Sequence, residues 1–287
     1  MLDMLIEAAT KALLYAAVLQ TVGAATAFWA IAPQPAADAP PGHSVEASIQ
    51  RVGLRASAAV VLALLLRAWA HTATAFGLAQ SMSLRALSTI AIESRWGRAW
   101  QIQMLGALAC VVTYGVHGLV RGHRRRLQLM TAVTGAALSF SLTRTGHAAG
   151  AWSRMAIHTA HVLGAGIWLG TLTTLVSVRQ SVDRALRRPM FRAFARLAFS
   201  GAALLLSAGI VASWWYVGSL ANLWSTTYGR VLLVKVALVV GVVACGYVNW
   251  RAIESGQNEP QRTAVVELML AGLVIAATGV LTELEHP

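Results

Sequence analysis

The sequence predicts an all-α membrane protein whose chain crosses the bilayer several times. Hydrophobic residues make up 57% of the 287 residues and charged residues only 12%, a balance that soluble domains rarely show. Crossing a hydrocarbon core of about 30 Å takes about 20 apolar residues. Eight runs of suitable length lie near residues 9–31, 52–76, 99–120, 127–143, 155–178, 195–217, 229–250 and 263–282.

The stretches between these runs are short, so residues 1–287 are expected to form one integral membrane unit. The first run lacks a basic leading segment and continues into Pro33, which disfavours cleavage as a secretory signal. We therefore predict that this run is a retained membrane helix.

The positive charge is divided unevenly between the two sets of loops. The net charge of +12 is concentrated in particular short loops, a pattern typical of membrane orientation rather than of nucleic-acid binding. One side receives thirteen basic residues: Arg51, Arg121, Arg124, Arg125, Arg126, Arg179, Arg184, Arg187, Arg188, Arg192, Arg196, Arg251 and Arg262. The other receives seven: Lys11, Arg85, Arg95, Arg98, Arg144, Arg154 and Arg230. The positive-inside rule then predicts periplasmic termini and, for a bacterial chain, an inner-membrane location.

The sequence also contains a weak internal repeat. Arg51 and Trp69 recur as Arg196 and Trp214 after 145 residues, and Trp96, Gly97 and Arg98 recur as Tyr228, Gly229 and Arg230 after 132 residues. This pattern predicts a parallel duplication with a first four-helix half at residues 1–143 and a second at 144–287. In transporter folds with such repeats, binding sites tend to form between the halves.

A group of soft and intermediate metal ligands lies at the start of the fifth predicted helix. The segment 143–170 contains His147, Met155, His158 and His161. Imidazole and thioether groups bind copper well, and a membrane helix contains such polar groups only where an interaction compensates their cost. Residues three apart are neighbours on a helix, so Met155, His158 and His161 are spaced to act together.

Two further ligands are expected on the same outer face, His71 near the end of the second helix and Met82 in the loop that follows. We therefore predict a periplasmic His/Met copper site, with Cu(I) favoured over Cu(II), formed by His71, Met82, His147, Met155, His158 and His161. Each histidine taken alone could instead be an interfacial residue bonded to a carbonyl group or to water. Spacing alone does not exclude zinc.

Short motifs in the second half resemble those of the copper resistance D (CopD) family of bacterial inner-membrane proteins. They are Gly146, His147 and Ala148, the segment HVLGAGIWLGTL at residues 161–172, and the pattern of Tyr228, Gly229, Arg230, Lys235, Asn249 and Arg251. The resemblance is clearest over residues 140–255. It implies copper movement across the inner membrane beside a periplasmic copper-binding protein. His147 and His161 match motif positions, whereas His158 is an additional histidine.

Other intramembrane side chains are expected to support the site or to line a path below it. Arg67 lies one turn before His71, where it could hold an acidic group or repel a cation, and Lys235 could do the same in the second half. Both could instead pair with backbone carbonyls or lipid phosphate. Trp168 lies two turns below His161 and either forms the floor of the site or packs between helices.

Scattered soft groups continue inward, namely Met104, Cys110 and Cys245. The two cysteines lie in different predicted helices, so they form neither a CxxC motif nor an evident disulfide framework. They are predicted to be small core residues, with contact to a soft metal ion as the alternative. Glu267 lies close to an inner helix end, where its side chain is expected to reach the membrane surface.

The sequence therefore favours copper uptake from periplasm to cytoplasm by a transport protein rather than an enzyme. No P-loop motif is present. One alternative is a membrane cytochrome or reductase in which His71, with His158 or His161, ligates haem. A second alternative is a copper receptor that docks a periplasmic protein on the loop at residues 80–98 without transporting the ion.

Overall fold

The computed structural model describes residues 2–30, 45–119, 124–145, 150–255, 261–285 and 287. Within these ranges the chain is helical, with short loops and no β-strand. The long helices are α1 (Leu2–Ala30), α2 (Val45–Phe76), α4 (Arg95–Leu119), α5 (Arg124–Leu142), α8 (Arg184–Val217), α10 (Thr227–Glu254) and α11 (Gln261–Leu281). Three shorter α-helices, α3 (Leu84–Ser88), α7 (Thr171–Val178) and α9 (Asn222–Ser225), accompany α6 (Trp152–Ala165).

Seven helical segments in the described ranges are long and apolar enough to cross a membrane. They are Asp3–Trp29, Val45–Phe76, Arg95–Val116, Trp152–Ser181, Arg187–Val217, Thr227–Glu254 and Thr263–Leu281. The multi-pass, all-helical prediction is confirmed, and these segments coincide with seven of the eight predicted crossings. The remaining one, α5, has 19 residues and begins with three arginines, which lowers its mean hydropathy.

The fifth predicted crossing is continuous but irregular. A π-helical turn at Gly166–Gly170 joins α6 to α7, so one helix runs from Trp152 to Val178 with a local change in pitch. Such turns inside α-helices are frequent at functional sites. Within its most apolar window 61% of residues are buried, as in α1, compared with 11% in α10. The α6–α7 crossing and α1 therefore lie at the centre of the bundle.

The two central helices touch through backbone rather than side chains. A Cβ atom on Gly23 would lie 1.9 Å from the carbonyl carbon of Gly170, and a Cβ on Gly170 would lie 1.9 Å from the carbonyl oxygen of Leu19. No side chain fits at such distances. Glycine at these two positions therefore allows α1 and the π-helical turn to come into direct contact.

Helix α1 contributes to both large hydrophobic clusters. One includes Phe28 together with Trp168 and Phe194, and the other includes Val18 together with Leu138. Helices α2, α5, α7 and α11 all pack against α1. The apolar core is therefore shared by residues that come from both predicted halves of the sequence.

Helices α4 and α10 begin with the same local arrangement. The Ser94 hydroxyl accepts a hydrogen bond from the backbone N–H of Gly97, and the Thr226 hydroxyl accepts one from Gly229. Each hydroxyl also donates to a carbonyl oxygen four residues earlier. A Cβ on Gly97 or Gly229 would lie 2.3 or 2.2 Å from a carbonyl oxygen seven residues earlier. The first turn of each helix therefore packs directly against the backbone of the short helical segment that precedes it.

Candidate metal centre

His161 projects from α6 toward α8. Its Nδ1 atom lies 3.0 Å from the backbone carbonyl oxygen of Leu205. A carbonyl oxygen only accepts hydrogen bonds, so Nδ1 carries the proton and Nε2 keeps its lone pair. Histidines that bind metals commonly donate their other ring N–H in this way, because it fixes the tautomer and the ring orientation. His161 therefore presents Nε2 as an available ligand atom.

His158 lies one turn earlier on α6 and also contacts α8. Its Nε2 atom is 3.1 Å from the hydroxyl oxygen of Tyr216, and the two rings are 5.6 Å apart. The guanidinium of Arg154 lies 5.9 Å from the centre of the same tyrosine ring. Tyr216 thus positions His158 and joins the upper part of α6 to the end of α8.

Met155 completes the predicted series on α6 and is 7% exposed. It lies one turn before His158, which lies one turn before His161, so the structure retains the helical spacing that suggested a shared site. His147 falls outside the described residues. The described part of the candidate site therefore consists of one thioether and two imidazoles on consecutive turns of a single helix.

His71 lies in a different environment, formed by α1, α2 and α4. Its Nδ1 atom is 3.2 Å from Oε1 of Glu7, and its ring stacks on Trp96 with 4.4 Å between ring centres. Because a carboxylate only accepts hydrogen bonds, Nδ1 carries the proton that is donated to Glu7 and the Nε2 lone pair remains unused. The other oxygen of Glu7 lies 3.4 Å from a guanidinium nitrogen of Arg67.

The acidic side chain that lies beside Arg67 is Glu7. Arg67 is 3% exposed and Glu7 6%, so the pair lies inside the protein rather than at the lipid surface. Hydropathy did not point to Glu7, because the first apolar run begins near residue 9, whereas α1 begins at Leu2. A second ion pair joins Lys11, one turn after Glu7 on α1, to Glu283, two residues after the end of α11.

The two histidine groups have different neighbours. Helix α2 packs on α1 and α4, whereas α6 packs chiefly on α8. Among the described residues, no group of three or more His, Cys, Asp or Glu side chains is close enough to hold a metal ion. His71 therefore contacts different residues and helices from those that His158 and His161 contact.

Met82 is 76% exposed and lies between the short helical turn Leu78–Gln80 and α3. Its thioether is open to the surroundings and has no fixed place beside the histidines. A thioether on such a surface loop is available to an incoming ion or protein without rearrangement of the core. The predicted role of Met82 at the site stays a prediction.

Lys235 lies on α10, within electrostatic range of His161. Its side chain is partly buried, and no carboxylate in the described part of the chain pairs with it. The ammonium group of Lys235 therefore has no carboxylate beside it, among the described residues, to neutralise its charge. In this respect Lys235 differs from Arg67.

Trp168 takes part in a buried polar network below the histidines. Its indole N–H donates to Oε1 of Glu267 at 3.1 Å, and the side-chain amide of Asn249 donates to Oε2 at 2.5 Å. Thr263 in turn donates to the amide oxygen of Asn249. Glu267 is 1% exposed. The prediction that Glu267 reaches the membrane surface is therefore wrong, because its carboxyl group is enclosed by three helices.

The soft groups predicted for an inward path do not form a continuous series. Met104 packs against the hydrophobic cluster that contains Cys110, and Cys110 is fully buried in the core between α1, α2, α4 and α5. Cys245 is partly buried on α10. The two cysteines are free, and their helices belong to different parts of the bundle.

The helices that contact the α6 histidines are similar to a known family. Residues 188–281 match the family model described as copper resistance protein D. This segment is thus similar to the copper resistance protein D family. It comprises nearly all of α8, together with α10 and α11, and it begins after the histidine-bearing helix α6. The matched segment supplies Leu205 and Tyr216, the partners of the two α6 histidines.

A curated relative of the chain is the copper transport protein CutJ of Bacillus subtilis (strain 168), which is 26% identical over 132 residues. The aligned region covers 44% of this chain and 24% of that relative. The match therefore spans about a quarter of the relative's length. No solved structure matches the chain.

Proposed function

We propose that the protein transports copper across the bacterial inner membrane, from the periplasm to the cytoplasm. One observation carries the proposal: both described histidines of α6 hydrogen-bond to α8, inside the segment that matches the copper resistance protein D family. The name of the relative, a copper transport protein, supports the same function. Copper is then the transported ion rather than a resident cofactor.

The proposed binding site combines His158, His161 and Met155 with His147 from the preceding loop. Nε2 of His161 is free to accept a metal ion, and a neighbouring thioether and imidazole suit Cu(I) better than Cu(II). His71 and Met82 are proposed to receive copper at the periplasmic surface before it reaches α6. Glu7 supports this role because it fixes the ring orientation of His71.

From this site the ion would pass inward beside the π-helical turn, toward Trp168 and Glu267. A buried carboxylate that accepts two neutral hydrogen bonds and has no cationic partner among the described residues is suited to a passing cation. The unpaired charge of Lys235 would oppose a second cation near His161 and so limit occupancy. Met104, Cys110 and Cys245 are proposed only as weaker contacts, because the described structure does not bring them together.

We further propose that both termini are periplasmic, that α5 is the eighth crossing and that the two halves arose by duplication. Helices α1, α2, α4 and α5 pack consecutively, and α6, α8, α10 and α11 do the same. The matched starts of α4 and α10, at Gly97 and Gly229, support the repeat. Tyr216 lies 145 residues after His71, and each contacts the first helix of its own half.

A periplasmic copper-binding protein is the proposed donor of the ion. The exposed loop that includes Met82, with Arg85, Arg95 and Arg98, would form its docking surface. If this protein were a receptor only, it would bind copper and the donor but would not move the ion across a sealed membrane.

Uptake of radioactive copper into proteoliposomes tests the proposal. Reduced copper would be supplied outside vesicles that contain the intact protein, or a variant with alanine at His147, His158 and His161. The matched control carries alanine at His43, His117 and His123, because the orientation that the positive-inside rule predicts places these three histidines on the cytoplasmic side. We expect the first variant to lose uptake and the control to retain it. Equal uptake by both variants would refute the proposed site.

Metal analysis and an absorption spectrum of the same purified protein separate the alternatives. Bound copper without a Soret band agrees with a copper protein, whereas a Soret band indicates haem. Bound copper without uptake indicates a receptor. Zinc as the retained metal would contradict the proposed selectivity.

A further inference from the structure

A groove of about 520 Å³ lies between the start of α8 and the end of α10, at the opposite end of α8 from Tyr216. One wall carries Arg188, Arg192 and Arg196, which are spaced four residues apart and so lie on one face of α8. The opposite wall carries Trp250 and Glu254 from α10. The groove therefore has a basic side and an aromatic side.

The charges in the groove are only partly neutralised. Arg192 is 3.7 Å from Glu254, and both side chains are about half exposed. Arg188 and Arg196 are exposed and have no carboxylate partner in the described part of the chain. Three arginines facing one glutamate leave a net positive charge, so the groove favours a bound anion.

An apolar surface continues from the groove along the bundle. Phe199 packs edge-on against Trp250, with 5.5 Å between the ring centres. The ring centre of Tyr247 lies 5.7 Å from that of the same indole. Phe199 is 57% exposed and Tyr247 56%. Because the segments Arg187–Val217 and Thr227–Glu254 are candidate membrane spans, these exposed rings are expected to face lipid. The three arginines lie within the first ten residues of the Arg187–Val217 segment.

We propose that this groove binds one anionic phospholipid. The arginines would hold the phosphate group, since the guanidinium plane donates paired hydrogen bonds to phosphate oxygens. An acyl chain would lie along Phe199 and Trp250. Basic pockets between membrane helices bind such headgroups, and the adjoining apolar surface favours a lipid over a soluble phosphate. The site is independent of the copper function.

Lipid binding to the purified protein in a neutral detergent tests this inference. Native mass spectrometry would count phosphatidylglycerol and phosphatidylcholine bound at equal concentration, and thermal unfolding would be followed in parallel. We expect the intact protein to bind one phosphatidylglycerol at least tenfold more tightly than phosphatidylcholine. The variant R188Q/R192Q/R196Q should lose this preference, and R124Q/R125Q/R126Q, a matched triple at the start of α5, should retain it.

Two milder variants keep the test decisive if the triple variant does not fold. E254Q removes the acidic group from the groove and should tighten phosphatidylglycerol binding several-fold, whereas R196Q should weaken it. Equal binding of the two lipids by the intact protein, or unchanged preference in both single variants, would overturn the inference. Displacement of the lipid by millimolar inorganic phosphate would also overturn it, because the site would then bind a soluble anion.

Discussion

Nδ1 of His161 donates a hydrogen bond to the carbonyl oxygen of Leu205, 44 residues later in the chain. This contact joins the histidine-bearing helix to the segment that matches the copper resistance protein D family. It also decides which nitrogen remains available, because the proton on Nδ1 leaves the Nε2 lone pair unused. A contact with the backbone of another helix therefore fixes the tautomer that the proposed metal site requires.

Removal of the Tyr216 hydroxyl is expected to weaken copper binding. The variant Y216F keeps the ring but takes away the group 3.1 Å from Nε2 of His158, so the imidazole loses its fixed orientation. Loss of such an outer partner typically lowers metal affinity about 10-fold or more. Competition with a copper chelator measures the change. Y247F, which alters an exposed tyrosine on α10, is the control, and equal affinities in both variants would contradict the role of Tyr216.

Removal of the Glu7 charge is expected to destabilise the protein. In E7Q the buried guanidinium of Arg67 has no counter-charge, and breaking a buried pair in this way costs about 3–5 kcal/mol. The additional replacement Arg67→Met should recover most of this loss, because it removes the unpaired charge as well. Thermal unfolding in detergent measures both variants. D3N, at an exposed position on the same helix, should leave the midpoint unchanged.

A methyl group at Gly170 is expected to separate the two central helices. In G170A the new Cβ would lie 1.9 Å from the carbonyl oxygen of Leu19, so the backbones must move apart at a cost of about 3 kcal/mol. The measurement is the unfolding midpoint together with the size-exclusion profile. G272A is the matched control, since a Cβ there has no neighbour within 4 Å. Similar behaviour of the two variants would show that α1 and the π-helical turn are not in direct contact.

The carboxylate at residue 267 and the amide at residue 249 are expected to be interchangeable, so that a carboxylate at residue 249 is tolerated only when residue 267 becomes an amide. N249D alone replaces the amide that donates to Glu267 at 2.5 Å with a second carboxylate. The repulsion between the two buried carboxylates is expected to lower the free energy of unfolding by about 3 kcal/mol at pH 8. N249D/E267Q restores one amide and one carboxylate, so the free energy of unfolding should largely recover. Chemical or thermal unfolding of the three proteins measures the coupling. Equal losses in the single and double variants would argue against the hydrogen-bonded network.

Much of the fold could be predicted from the sequence because the bilayer imposes a simple rule on the chain. Segments such as 229–250 must be apolar over about 20 residues to cross it, and their backbone must be helical. Seven of the eight predicted crossings coincide with candidate spans. The exception is α5, whose first three residues are arginines. A prediction based on the length of the apolar run does not take account of how these charges lower the mean hydropathy of the whole helix.

The candidate site was only partly predictable. Spacing along one helix places Met155, His158 and His161 on consecutive turns, since neighbours on a helix follow from its 3.6-residue period. The same reasoning could not show that His71 contacts Glu7 and Trp96, because contacts between helices depend on how each one rotates about its axis. His147 lies outside the described residues, so its place in the site stays a prediction.

The sequence by itself determined that the chain is a multi-pass helical membrane protein with histidines and methionine on consecutive turns of one helix, since composition and helical period are local properties. Only the tertiary structure decided that Glu7 neutralises Arg67, that Tyr216 and Leu205 orient the two histidines, and that Glu267 is enclosed. Those pairings join residues far apart in the chain. They depend on close packing between helices, which no local pattern encodes.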